Sequence, residues 1–296
     1  MKVVYSRRYE IKFDHVWPVQ KYPAVLRNAL KEKLIDPEDV EYVEAAAQED
    51  IALVHSAEYL GKIKQRSLSS REVARLEIPV TDESVGLYWA FAAGTIQACR
   101  RAYEQGVCVH IGGGMHHAFT DYGSGFCMFN DVAIGVRKMQ HDGIVKRVMV
   151  IDCDVHQGDG TAKIFQADDS VFTFSIHQRD NFPYIKQNSN LDVELSDRTG
   201  DDEYLKRLKE HLPSVMTSFR PQLVVYVAGA DVYRRDLLGG LGLSISGIEK
   251  RDEFVINLAQ QNKVPVAVTL AGGYAADWTD TVRIHVNTIR VCIRYC

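Results

Sequence analysis

Along the chain, short unbroken apolar runs alternate with longer stretches in which apolar positions recur every three or four residues. The first pattern marks buried strands and the second amphipathic helices. Runs at 2–5, 107–111 (Val-Cys-Val-His-Ile), 147–153, 171–176, 223–229 and 264–270 (Val-Pro-Val-Ala-Val-Thr-Leu) are dense in β-branched residues and do not alternate strictly. They predict strands covered on both faces. Helical periodicity predicts helices at 20–33, 84–105, 130–142, 201–219 and 247–262, with Asp201-Asp-Glu and Ser246-Gly as starts. Because the two element types alternate over the whole length, the expectation is a single α/β domain spanning 1–296. A three-layer α/β/α arrangement around a mainly parallel sheet satisfies that pattern. No linker rich in Pro, Gly or Ser, no repeat and no low-complexity tract interrupts it.

Composition narrows the function classes. With 296 residues, 46% hydrophobic and 25% charged, the chain has the makeup of a globular domain with a large core. A net charge of −4 provides no basic field, which argues against nucleic acid as a direct ligand. The apolar runs are far shorter than the ~18–20 residues that a membrane span needs, so no membrane association is expected. The amino terminus turns charged at Arg7-Arg8 before a secretory apolar region forms, which points to the cytosol. Six cysteines (99, 108, 127, 153, 292 and 296) include no C-x-x-C pair and are expected to be reduced and mostly structural. Oligomeric state is left open.

Glycines cluster after three of the strands: Gly112-Gly-Gly114, Gly239-Gly-Leu-Gly242 and Gly272-Gly273. Ligands of open α/β sheets sit at the strand carboxyl ends, so the polar residues there should converge on one pocket. None of the clusters is G-x-G-x-x-G or GK[ST], and a nucleotide is not implied.

The densest chemistry lies in Val150-Ile-Asp-Cys-Asp-Val-His-Gln-Gly-Asp-Gly160. Along an extended chain Asp152, Asp154 and His156 project to one side, and a metal ion would account for so many polar groups at the end of a buried strand. Carboxylate with imidazole suits Zn²⁺ or a similar divalent ion. Asp231, ending the run Leu223–Asp231, offers a third ligand from a neighbouring strand; taken alone it would be read as a helix cap. The tandem His116-His117 behind the triple glycine reads as an acid/base pair, with Asp152 and Asp159 able to orient the imidazoles. Tyr274, after Gly272-Gly273, is either a packed aromatic or a hydroxyl donor to a developing oxyanion.

GGGMHHAF, DCDVHQGDGTA, YVAGAD and AGGY, in this order and spacing, resemble the zinc-dependent histone deacetylase family, which has the arginase-deacetylase fold. The segments VVYSRRYEIKF, IALVHSAEYL and GADVYRRDLLGGLGLSISGI are most similar to its compact class IV members. The resemblance implies Zn²⁺ on Asp154, His156 and Asp231. It makes His117 the general base and later the acid, and His116 its electrostatic partner. Asp159 would then orient His117 and Asp152 would orient His116, with Tyr274 polarising the scissile carbonyl. Gly125 and Phe126, facing Phe182, match the walls of an acyl-lysine tunnel, with Leu238 at the rim. A structural K⁺ is implied at the backbone oxygens of Asp152, Asp154, His156 and Ile176 with the Ser175 hydroxyl. Gln157 stands where many relatives have His, Ala271 replaces a Gly or Ser, and Gln178-Arg-Asp-Asn-Phe-Pro-Tyr184 is less glycine-rich than in class I enzymes.

The activity so implied is hydrolysis of an N-acyl-lysine, acetyl or longer fatty acyl, in a protein or peptide. Two rivals are an acetylpolyamine amidohydrolase with the same chemistry and a catalytically inactive acyl-lysine binding module. Retention of both His117 and Tyr274 counts against the latter, and the stretch from Ser56 to Val107 lacks the insertion typical of the former. A binuclear ureohydrolase would need Asp-x-His-x-Asp where this strand reads Asp-x-Asp-x-His.

Overall fold

The computed structural model describes residues 1–11 and 15–296. Lys12 and Phe13, which end the opening VVYSRRYEIKF segment, lie outside the described residues. Among the described residues eight strands form one sheet: β1 (Val3–Tyr5), β2 (Val40–Tyr42), β3 (Val107–His110), β4 (Val148–Asp152), β5 (Val171–Gln178), β6 (Leu191–Leu195), β7 (Leu223–Val227) and β8 (Val266–Thr269). Their spatial order is β2-β1-β3-β8-β7-β4-β5-β6, and every pairing is parallel. All residues of β3, β4, β7 and β8 are buried. These strands therefore need helices on both faces, which is why their sequences read as unbroken apolar runs.

The helices are α1 (Lys21–Lys31), α2 (Gln48–Ile51), α3 (Ala57–Gln65), α4 (Ser70–Leu76), α5 (Asp82–Gln105), α6 (Asp131–His141), α7 (Asp159–Phe165), α8 (Asp201–Phe219), α9 (Ile245–Gln261) and α10 (Trp278–Ile293). One layer is built by α5, packed on β1, β3 and β8 and flanked by α6 and α7; the other runs α1, α10, α9, α8. This is the three-layer α/β/α arrangement expected. The caps follow local chemistry: Thr81 and Ser84 form a reciprocal capping box at α5, and Asn130 accepts the Ala133 N–H at 2.9 Å to begin α6. α9 begins earlier than expected. Its cap is Ser244, whose hydroxyl accepts the Gly247 N–H at 2.9 Å, and Ser246 lies inside the first turn.

Strands β3, β8, β7, β4 and β5 are consecutive in the sheet, so the loops leaving their carboxyl ends (112–117, 270–274, 228–231, 153–159 and 179–182) crowd together above its centre. Register adds to this, because Asp152 pairs with both Val227 and Ser175.

Candidate active site and metal centre

Asp154, His156 and Asp231 present ligand atoms that all lie within 4.8 Å of one another, and all three are buried. His156 Nδ1 is 3.0 Å from Asp154 Oδ1 and 3.5 Å from Asp231 Oδ2. Asp231 Oδ1 accepts the Val155 N–H at 2.9 Å, whereas its buried Oδ2 has no hydrogen-bond partner. An orphaned buried carboxylate oxygen costs stability unless a cation meets it. Gly272 leaves room there: a Cβ on it would come within 1.8 Å of Asp231 Oδ2 and 2.4 Å of Asp154 Oδ2. Its N–H instead donates to Asp154 Oδ2 at 3.0 Å.

Electrostatics agree with a cation site. Burial drives the Asp231 carboxyl up, and the neighbouring Asp154 adds to this, bringing it to about 7. Burial also opposes charge on His156, yet the adjacent carboxylates of Asp154 and Asp231 prevail and lift it to about 10. Held by one another alone, the two carboxylates thus draw a proton onto the imidazole. A divalent cation would displace that proton and satisfy all three groups. The donor set, two carboxylates and one imidazole, fits Zn²⁺ with a position left open.

The tandem histidines lie beside this cluster. His116 Nδ1 is 2.6 Å from Asp152 Oδ2, His117 Nδ1 is 2.7 Å from Asp159 Oδ1, and the two ring centroids are 4.1 Å apart. Burial penalises charge on both. For His116 the carboxylates of Asp152 and Asp154 outweigh that penalty and raise it to about 9. For His117 burial and the adjacent His116 dominate Asp159 and lower it to about 4. The loop carrying them is fastened from the start of α6: Asp131 accepts the N–H groups of Met115 at 2.6 Å and Gly114 at 3.1 Å. Asn130 Nδ2 donates to the carbonyls of His116 at 3.3 Å and Ala118 at 3.1 Å.

Both histidines, Asp154, His156 and Tyr274 line a cavity of about 380 Å³. Gly125, Phe126, Phe182 and Leu238 line it too. Phe182 meets the His117 ring edge-on at 4.9 Å, and Phe126 lies 6.0 Å from the Tyr274 ring. Gly125 has φ +50°, and a Cβ there would press within 2.7 Å of Phe182 and 2.9 Å of His117, so glycine keeps the passage open. Burial pushes the Tyr274 hydroxyl well above its ordinary value, so it stays protonated as a donor. Asp152 and Asp159 stand behind the histidines. Ser175 donates to or accepts from His177 Nδ1 at 2.9 Å, and Ile176 is buried beside it. Gln157 is turned away from the cluster, its Nε2 donating to the Gln187 carbonyl at 2.7 Å and to Asp192 at 2.9 Å.

Several lining or supporting residues escaped the sequence reading. Trp17, Tyr22 and Cys127 form buried walls, and Glu77 lines the same cavity, as do Asn181 and the almost fully exposed Tyr184 of the Gln178–Tyr184 segment singled out in the sequence. Lys21 is wholly buried; its Nζ donates to the Ala271 carbonyl at 2.7 Å and sits 5.6 Å from the Tyr274 ring centroid. Burial lowers it to about 8 against the pull of Asp231 and Asp154. Its place at the start of an amphipathic helix carries no sequence signal of that burial.

The fold is that of the arginase-deacetylase class. The histone deacetylase domain model matches residues 15–289, and the chain belongs to that zinc-dependent family. An uncharacterized protein of Picosynechococcus is 38% identical over 285 residues, covering 96% of this chain and 95% of its own. Histone deacetylase 2 of Arabidopsis thaliana is 30% identical over 288 residues (93% of this chain, 74% of that one). The acetoin utilization protein AcuC of Staphylococcus aureus is 28% identical over 301 residues (93% and 77%). Among solved structures, a histone deacetylase homolog from Aquifex aeolicus superimposes with TM-score 0.83 over 98% of this chain and 83% of its own, at 23% identity, which supports the fold.

Proposed function

We propose that the protein hydrolyses the side-chain amide of N-acyl-lysine in proteins or peptides, with Asp154, His156 and Asp231 as metal ligands. The observation that carries this reading is that His116, His117, Asp154, His156 and Tyr274 line one cavity, with Asp152 and Asp159 bonded to the histidines and Asp231 completing the three-ligand cluster. A Zn²⁺ ion held by those ligands would supply Lewis acidity, activating water and polarising the acyl carbonyl. His117, neutral at physiological pH and held at Nδ1 by Asp159, takes a proton at Nε2 from the attacking water and returns it to the leaving amine. His116, paired with Asp152, stays charged and stabilises the negative charge that develops. Tyr274 donates its hydroxyl to the carbonyl oxygen as it becomes an oxyanion. Gly125, Phe126, Phe182 and Leu238 exclude water around the aliphatic stem of the lysine.

We also place K⁺ at the backbone oxygens of Asp152, Asp154, His156 and Ile176 with the Ser175 hydroxyl. The Asp152–Ser175 register supports this placement. His177, held neutral chiefly by burial, tolerates a cation nearby. The motif segments favour class IV within the family, the continuous sheet favours one domain over 1–296, and six free cysteines favour a cytosolic protein. No helix among the described residues is long and apolar enough to cross a membrane.

A second reading, an acetylpolyamine amidohydrolase, is favoured by one feature, the Glu77 carboxylate lining the cavity, which would suit a cationic substrate. The test is hydrolysis of acetyl-lysine peptide beside acetylated polyamines, before and after chelation and after zinc is returned. Peptide turnover that chelation abolishes and zinc restores is expected. Turnover confined to polyamines would establish the second reading, and no hydrolysis of either would overturn both.

A further inference from the structure

We propose that Asp236 is a positioning residue that ties Tyr274 to the tunnel rim at Leu238, so that one carboxylate sets both the rate of the chemical step and the discrimination between acyl groups. The inference rests on the role given to Tyr274 above. Asp236 lies in the loop that follows β7. Its Oδ2 accepts the Tyr274 N–H at 2.7 Å, and its Oδ1 accepts the N–H groups of Leu238 at 2.9 Å and Gly239 at 3.0 Å. The frame is closed by the backbone: the Leu237 N–H donates to the Tyr274 carbonyl at 3.1 Å, and the Ala276 N–H donates to the Arg235 carbonyl at 3.0 Å. Asp236 and Ala275 also form an isolated antiparallel bridge.

Neither loop is fixed by its own sequence. Tyr274 follows Gly272-Gly273, the latter at φ +144°, and Leu238 precedes Gly239-Gly240. Glycines give the backbone little preference, so an outside tether decides where each loop rests. An ionised carboxylate is acceptor-only and can take all three N–H donors, in charge-assisted bonds roughly twice as strong as neutral ones. Leu237, between the tethered positions, is 63% exposed and contributes little packing to hold the loop. The rim and the oxyanion donor therefore move as one body about Asp236.

Asp236→Asn tests this, because whichever way the amide turns it points an NH₂ at one set of N–H donors and releases one loop. Asp236→Asn, Tyr274→Phe and the double variant are compared for kcat, KM, zinc content and melting temperature. Asp236→Asn is expected to retain zinc and lower kcat about tenfold or more. Its ratio of kcat/KM for acetyl- and octanoyl-lysine should move toward unity as the rim loosens. In the Tyr274→Phe background the same change should cost less than about threefold in kcat, because two residues acting through one another are not additive. Should the Asn variant fold poorly, Asp236→Glu, which keeps the charge but shifts both oxygens by a methylene, takes its place in the cycle. Full multiplication of the two effects, or an Asp236 variant with unaltered kcat and selectivity, overturns the inference while leaving the hydrolase reading intact. A fully active Tyr274→Phe removes the role of Tyr274 itself, and this inference with it.

Discussion

His116 and His117 lie with ring centroids 4.1 Å apart, yet each gives Nδ1 to a different carboxylate, Asp152 and Asp159, and their pKa values part in opposite directions, to about 9 and about 4. On the mechanism proposed, the division separates their work. The histidine that stays neutral can accept a proton, while the one that stays charged can only supply a field. His117→Ala should therefore lower kcat by ~10²–10⁴, the usual scale for losing a general acid–base group, and His116→Ala should be milder. Measured single-turnover rates in the reverse order would exchange the two roles.

The ligand cluster makes a prediction that can be read without activity. Asp154→Ala, His156→Ala and Asp231→Ala should each lose stoichiometric zinc, since each removes one of the three ligand atoms that converge within 4.8 Å. Because bound metal favours the folded state, zinc should raise the melting temperature of the parent chain and not of the variants; at a free concentration of 100 Kd the stabilisation is about 2.7 kcal/mol. Metal analysis that finds full zinc in all three variants would refute the ligand assignment.

Where the chain could be read from sequence, burial on both sides is the reason. β4 and β7 are covered by helices on each face, so their codes are unbroken apolar runs ending in Asp152 and, just beyond the strand, Asp231. β2 and β6 sit at the two sheet edges, are three and five residues long and are only partly buried, leaving no run to recognise. α10 was missed for a different reason: its buried positions include Thr281, His285 and Thr288 among the aliphatics, which blurs any apolar stripe. The site divides along similar lines. Ligands and histidines stand out as polar clusters at the ends of apolar strands. Asp236 and Arg251 do not, because what matters is which backbone they hold. Arg251, fully buried, donates to the carbonyls of Cys153 at 3.0 Å and Gly229 at 2.7 Å, next to the ligand-bearing turns, yet in sequence it is one charge in Glu-Lys-Arg-Asp.

Buried histidines away from the ligand cluster contribute to the response to acid, His110 and His55 among them. Burial lowers His110 to about 3 and His55 to about 4. His110 is held between the Tyr9 hydroxyl at 2.7 Å and Thr95 at 3.0 Å. The unfolded chain, with histidines titrating near 6.5, takes up protons that the folded chain refuses, so unfolding free energy rises with pH in this window. Their contribution is complete above about pH 6.5 and is lost as the pH falls toward 4. At pH 5 each histidine costs roughly 2 kcal/mol. Urea denaturation at pH 7 and pH 5 should show the loss, and His110→Gln should reduce its slope; an unchanged slope in that variant would clear His110 of the effect.

The acyl group is decided by the depth of the cavity. Its lining runs from Tyr184, 92% exposed at the mouth, to Trp17 and Tyr22, which are 1% and 0% exposed. Gly114, Met115, Cys127 and Ala271 complete buried walls, and about 380 Å³ remains open with Met115 and Phe126 already in place. Both side chains line that space. Each additional buried CH₂ is worth ~0.8 kcal/mol, so four methylenes received by these walls would favour a longer chain by about 3 kcal/mol, more than a hundredfold in kcat/KM. Against this, Gly114 permits little further widening, because a Cβ there would lie 2.4 Å from Ala271 Cβ. The expected outcome is that octanoyl-lysine exceeds acetyl-lysine on one peptide, with myristoyl limited by the length of the cavity. A kcat/KM that falls steadily from acetyl to octanoyl to myristoyl would show that the inner space serves water or product and not the substrate chain.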